Sequence, residues 1–75
     1  MTTMTDIALA AADRLLRKAG AKRVTNDAVE EFRDILEDIA LEVAKKAVVL
    51  SNHAKRKTVT RDDVRLAYKK WKTDH

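Results

Sequence analysis

The stretch "NDAVEEFRDILEDIALEVAKKAVVLSNH", residues 26–53, decides the fold. Val29, Phe32, Ile35, Leu36, Ile39, Ala40, Val43, Ala44, Ala47, Val48 and Leu50 hold one apolar face at three- and four-residue spacing, and Ala54 continues it. That spacing marks an amphipathic α-helix. Neither proline nor glycine interrupts it, so its 28 residues predict a helix of about 42 Å at about 1.5 Å per residue. Thr25 stands at the N-cap position, with Asp27 and Glu30 in or near the first turn. Two short flanking helices cannot cover such a length from one side. The long helix calls for a partner helix across it.

Working outward, "AGAKRVTND" precedes the long helix and "HAKRKTVTRDD" follows it. Upstream, a Thr5-Asp6 start predicts a helix from about Asp6 to Lys18, with Ile7, Ala8, Ala11, Ala12, Leu15, Leu16 and Ala19 on one face. Gly20, the single glycine, falls where a left-handed residue ends a helix, and Arg17 and Lys18 suit the last turn. Downstream, Thr60 opens a third helix, and Asp63 completes a capping box of the Thr-x-x-acid type. Val64, Ala67, Tyr68 and Trp71 line its face. The fold class is therefore all-α: short helix, loop, long helix, loop, short helix. Residues 1–75 are expected to form a single domain, with 1–5 and 73–75 as frayed ends.

Seventy-five residues lie near the lower limit for a self-sufficient core, and 12 of the hydrophobic ones are alanine. Chains this small need disulfides, a metal or a partner subunit. There is no cysteine, and His53 and His75 stand far apart, so disulfides and metal sites are excluded and no cofactor is implied. Oligomerisation remains, and a dimer is the expected unit. Residues 27–42 hold seven acids against Arg33 alone, while the rest of the chain carries a strong positive excess. Such separation fits one face for a polyanion and another turned away from it. No stretch approaches a membrane span, and "IALAAA" at 7–12 lacks the basic flank of a signal peptide, so a soluble, intracellular protein is expected. No nucleophile–base constellation, glycine-rich phosphate loop or cleft-forming sheet points to an enzyme or a small-molecule substrate.

"RLLRKAGAKRVTNDAVEEF", the long helix and "HAKRKTVTRDDVRLAYKKW" together resemble the histone fold, and the tail-less archaeal histones in particular. The likeness covers about residues 7–72, and its two loop motifs, "AGAKRV" and "RKTVTRDDV", are specific. The resemblance implies a handshake dimer, in which two long helices cross head to tail and each first loop meets the partner's second loop. It implies double-stranded DNA as the ligand, held by Arg23, Lys57 and Thr58 at the paired loops with Lys22 and Lys55 close by. Arg14 matches an arginine that enters the minor groove, and Arg17 and Lys18 match phosphate neighbours. Arg56 matches an arginine that braces the second loop through Asp63. Leu50, His53, Asp63 and Leu66 match a four-helix bundle that joins dimers into tetramers or longer filaments, and Gly20 a position where stacked layers of the DNA superhelix approach. The implied location is the cytoplasm, on the chromosome or nucleoid.

Chemistry supports the resemblance from its own side. Arginine and lysine bind phosphate by charge, and a threonine hydroxyl and a helix start add donors that need no base sequence. The chain departs from its relatives in two places. Its N-terminal arm, "MTTMTDIALAAAD", lacks their prolines, which bears on how Arg14 is aimed, and Lys55 stands where many archaeal relatives have glycine. For Asp63 the sequence offers three partners: its own helix cap, Arg56 and a neighbouring His53. Tyr68 and Trp71 read as packing residues. Two functions fit: a homodimeric protein that wraps and compacts DNA, or a histone-fold subunit paired with a different histone-fold chain in a transcription or repair complex. A sequence-specific helix-turn-helix regulator fits poorly, because its helices are short.

Overall fold

The computed structural model describes residues 6–75. The expected fraying at 1–5, and Thr5 of the Thr5-Asp6 start, lie outside the described residues. Three helices follow in order: α1 (Leu9–Lys18), α2 (Asn26–His53) and α3 (Arg61–Asp74), with no strand among the described residues. The all-α layout is the expected one. The chain divides into two units, Met1–Asp38 and Ile39–His75, and α2 runs through both.

In the first unit α1 begins at Leu9, later than the expected Asp6. Its N-cap, Ala8, is extended and has no side chain to offer, and the first turn holds no acid. The Ile7 N–H is instead taken by Glu37 Oε2 at 2.7 Å. The start is thus fixed by a long-range hydrogen bond rather than by a local cap. The end of α1 is local. Gly20 takes φ +116°, its N–H donates to the Arg17 carbonyl at 3.0 Å, and the Ala21 N–H donates to the Leu16 carbonyl at 3.1 Å. This pair of bonds is a Schellman turn. Thr25 then starts α2, its Oγ1 accepting the Ala28 N–H at 3.2 Å and donating to Asp27.

In the second unit α2 ends in another Schellman turn, here with a side chain at the left-handed position. Lys55 has φ +58°, its N–H reaches the Asn52 carbonyl at 2.9 Å, and the Arg56 N–H reaches the Ser51 carbonyl at 3.0 Å. Both halves of the Thr60–Asp63 capping box are formed at the start of α3. The end expected to fray at 73–75 is helical through Asp74, with Thr73 Oγ1 donating to the Lys69 carbonyl and Lys46 paired with Asp74 at 3.5 Å. Trp71 Nε1 donates to Glu42 Oε1 at 2.8 Å and joins the end of α3 to α2.

Ala12, Ala47, Ala67 and Ser51 are almost fully enclosed, but they are small. Large apolar side chains stay open: Leu15, Ile35, Leu41, Val48, Val49, Val64 and Leu66 are each between 43% and 52% exposed. Full burial of one such side chain is worth about 1.5–3 kcal/mol. Four of these, Ile35, Leu41, Val48 and Val49, lie on α2, so the long helix carries much of the open apolar surface.

Candidate nucleic-acid interface

The second loop, residues 54–60, is the most rigidly built part of the cationic surface. Arg56 turns inward and meets Asp63 bidentately: Nη1 to Oδ2 and Nη2 to Oδ1, both at 2.8 Å. The same Nη1 donates to the Thr58 carbonyl at 2.9 Å. Asp63 Oδ2 also accepts the Thr60 N–H at 2.9 Å and the Thr60 hydroxyl at 3.1 Å. From inside the loop, the 2%-exposed Ser51 shares its hydroxyl hydrogen between the carbonyls of Arg56, at 3.0 Å, and Thr58, at 3.1 Å. The Arg56 guanidinium, followed by the Thr60 N–H, holds the Asp63 carboxyl well below the usual carboxylate range, and Asp63 in turn raises the pKa of Arg56.

Of the three partners open to Asp63, two are thus present together, the helix cap and Arg56. The carboxylate accepts four hydrogen bonds within its own chain, three at Oδ2 and one at Oδ1. Oδ1 therefore keeps a lone-pair direction for a further donor. Of the residues matched to the dimer-joining bundle, His53 and Leu66 are exposed, Leu50 is half-buried and Asp63 is buried.

With Arg56 drawn in, Lys55, Lys57 and Thr58 are left exposed on a loop whose backbone is held at both of its inner carbonyls. Arg14, Lys18, Lys22 and Arg23 are exposed in the first unit. Among the described residues, no carboxylate lies within ion-pair distance of these four or of Lys55 and Lys57. Arg17 differs. Its Nε donates to both Asp13 oxygens, at 3.1 and 3.2 Å, and its Nη1 reaches the Lys22 carbonyl at 3.5 Å, tying α1 to the first loop. Gly20 is exposed, and a Cβ built there would meet nothing within 4 Å.

Residues 5–68 match the profile of a family described as histone-like transcription factor (CBF/NF-Y) and archaeal histone. The chain belongs to this histone-fold family. It is 52% identical over 66 residues to a subunit of the archaeal histone HAN1 from Thermococcus zilligii, covering 88% of this chain and 98% of the relative. It is 50% identical over 64 residues to "Probable archaeal histone 3" of Methanocaldococcus jannaschii, covering 85% and 96%. The three-helix layout is thus a histone fold, and the family is one of architectural DNA-associated proteins rather than enzymes. No helix among the described residues is long and apolar enough to cross a membrane.

Two residues important to this histone-fold surface were not visible as such in the sequence. Ser51 holds the second loop from beneath, and its one signal was a hydroxyl inside the apolar run between Ala47 and Ala54. Glu37 looks like one more solvated acid, and nothing local marks its bond to Ile7.

Proposed function

We propose that the chain forms homodimers across α2 that bind double-stranded DNA with little sequence specificity, bend and compact it, and assemble into tetramers or longer filaments on the chromosome. The observation that carries this reading is the braced second loop, which spends Arg56 on its own framework and leaves Lys55, Lys57 and Thr58 free. A rigid loop presenting cations and a hydroxyl binds phosphate without reading bases. In the dimer, Arg23 of one chain and Lys57 and Thr58 of the other form each paired-loop site, with Lys22 and Lys55 beside them. Arg14 enters the minor groove, flanked by Lys18, while Arg17 holds the first loop and reaches phosphate with its remaining N–H groups. Leu50, His53, Asp63 and Leu66 join one dimer to the next, and Asp63 also keeps α3 capped. Gly20 lets stacked layers approach.

The test is reconstitution on long mixed-sequence DNA followed by micrococcal nuclease digestion, with affinity measured against salt. A regular ladder is expected, with a log–log salt slope of about −5 to −9 if a dimer touches roughly six to ten phosphates. A slope near zero refutes the reading. A second reading is favoured by the family description, which includes transcription factors, and by the naming of one relative as a subunit. In it the chain pairs with a different histone-fold chain. Co-expression that replaces the homodimer by a stable heterodimer selects this reading.

A further inference from the structure

Glu37 belongs to the acidic stretch that a DNA-binding protein turns away from its ligand. The structure engages it elsewhere. Its Oε2 accepts the Ile7 N–H at 2.7 Å across 30 residues of sequence, and both residues are half-buried. That length is at the short end for N–H···O bonds, as expected when the acceptor is charged. The bond ties the segment entering α1 directly to α2, within one unit of the chain.

Little else holds that entrance. No side chain caps α1, and Leu9, Ala10 and Leu15 are exposed. Ala12 is the buried residue of the helix, and an alanine fixes where a helix touches its neighbour without resisting a tilt about that point. The exit of α1 is held by the Gly20 turn. Arg14 lies between the two anchors. It stands two residues past Ala12, about 3 Å along the axis, so a tilt of about 10° about that contact moves its backbone by roughly 0.5 Å. A shift of that size stretches a hydrogen bond of about 2.9 Å to about 3.4 Å, beyond the usual range.

We propose that Glu37 is a positioning residue for DNA binding: by holding the Ile7 N–H it fixes the entrance of α1 and so aims Arg14. The role rests on the reading above, in which Arg14 meets DNA. It also answers how an arm without proline sets the first helix. A backbone N–H, which proline would lack, is the group that is held.

The consequence has a sign that charge alone cannot produce. Removing an acid from a DNA-binding protein raises affinity if the acid acts only through its field. Through the anchor, Glu37→Ala lowers affinity, between about twofold and thirtyfold for a change acting through another residue. Glu37→Gln keeps an oxygen acceptor and drops the charge, so it binds at least as well as the parent.

The experiment is a double-mutant cycle of Glu37→Ala and Arg14→Ala, with Glu37→Gln alongside, measuring affinity for mixed-sequence duplex DNA in proteins of matched helical circular dichroism. The expected result is that Glu37→Ala weakens binding in the parent but adds nothing once Arg14 is gone. Arg14→Ala weakening binding while Glu37→Ala does not, or Glu37→Ala weakening it equally in both backgrounds, overturns the role of Glu37 and leaves the DNA reading standing. Arg14→Ala without effect overturns the assignment of Arg14, and the role of Glu37 with it. Amide exchange at Ile7 in the unaltered protein checks the anchor without any variant. A protected amide is expected, and an Ile7 amide exchanging at the free-peptide rate overturns the proposal.

Discussion

Lys55 sits at φ +58°, in the Schellman turn that ends α2. A residue with a Cβ in that region is disfavoured by about 1–2 kcal/mol, whereas glycine is not. Glycine also gains freedom in the unfolded chain, which takes back about 0.4–1 kcal/mol. Lys55→Gly should therefore stabilise each chain by about 0.8 kcal/mol and raise Tm by about 3–6 °C at this chain length. If the folding unit is a dimer, both the gain and the size double, so the shift is the same. Thermal melts by circular dichroism at one fixed chain concentration measure it, since the Tm of an oligomer varies with concentration. Lys55→Ala is the control: it drops the same ammonium but keeps the Cβ, so its Tm should stay near that of the parent. On DNA the two variants should behave alike, the salt slope flattening by about 0.9 for each phosphate no longer neutralised. A Lys55→Gly protein no more stable than Lys55→Ala would refute the reasoning, because the strained turn would then carry no penalty.

The second loop sets an acid limit. Asp63 has its pKa lowered in the fold, so its contribution is complete above the unfolded carboxylate range near 4 and is lost as pH falls below it. Asp63→Asn should be less stable at neutral pH and show a flatter decline in urea midpoint between about pH 5 and 2; an unchanged slope would place the acid sensitivity elsewhere. Gly20→Ala meets open space and so incurs backbone strain alone, about 1–2 kcal/mol less the unfolded-state gain. A loss above about 3 kcal/mol in urea titration would instead reveal a steric neighbour. Leu66→Ala combined with His53→Ala should leave DNA-binding dimers that fail to join into longer assemblies by analytical ultracentrifugation, and unchanged assembly rejects that interface.

Most of the architecture was legible because it is written locally. Thr25 and the unbroken apolar run set the limits of α2, Thr60 and Asp63 set the start of α3, and Gly20 ends α1. Each signal lies within a turn or two of what it controls. The start of α1 was misplaced for the opposite reason, since its anchor is a carboxylate 30 residues away. At the other end of the chain, α3 runs to Asp74 beside contacts to Glu42 and Lys46, which no helix-end signal encodes. At the candidate site the sequence identified the cations but could not rank the partners of Asp63. The cap and Arg56 compete on paper, yet in space one carboxylate serves both.

The end of α3 has a spectroscopic consequence. Trp71, the one tryptophan, stacks on His75 with ring centroids 4.6 Å apart and on Tyr68 at 6.2 Å, with its indole N–H on Glu42. Its fluorescence therefore comes from a single address, about 15 Å along α3 from the capped start, at about 1.5 Å per residue. Phosphate arriving at Lys57 or Thr58 is too distant to touch that indole. Emission can be followed with DNA present, and any change in it reports the packing of α3 against α2 rather than the ligand itself.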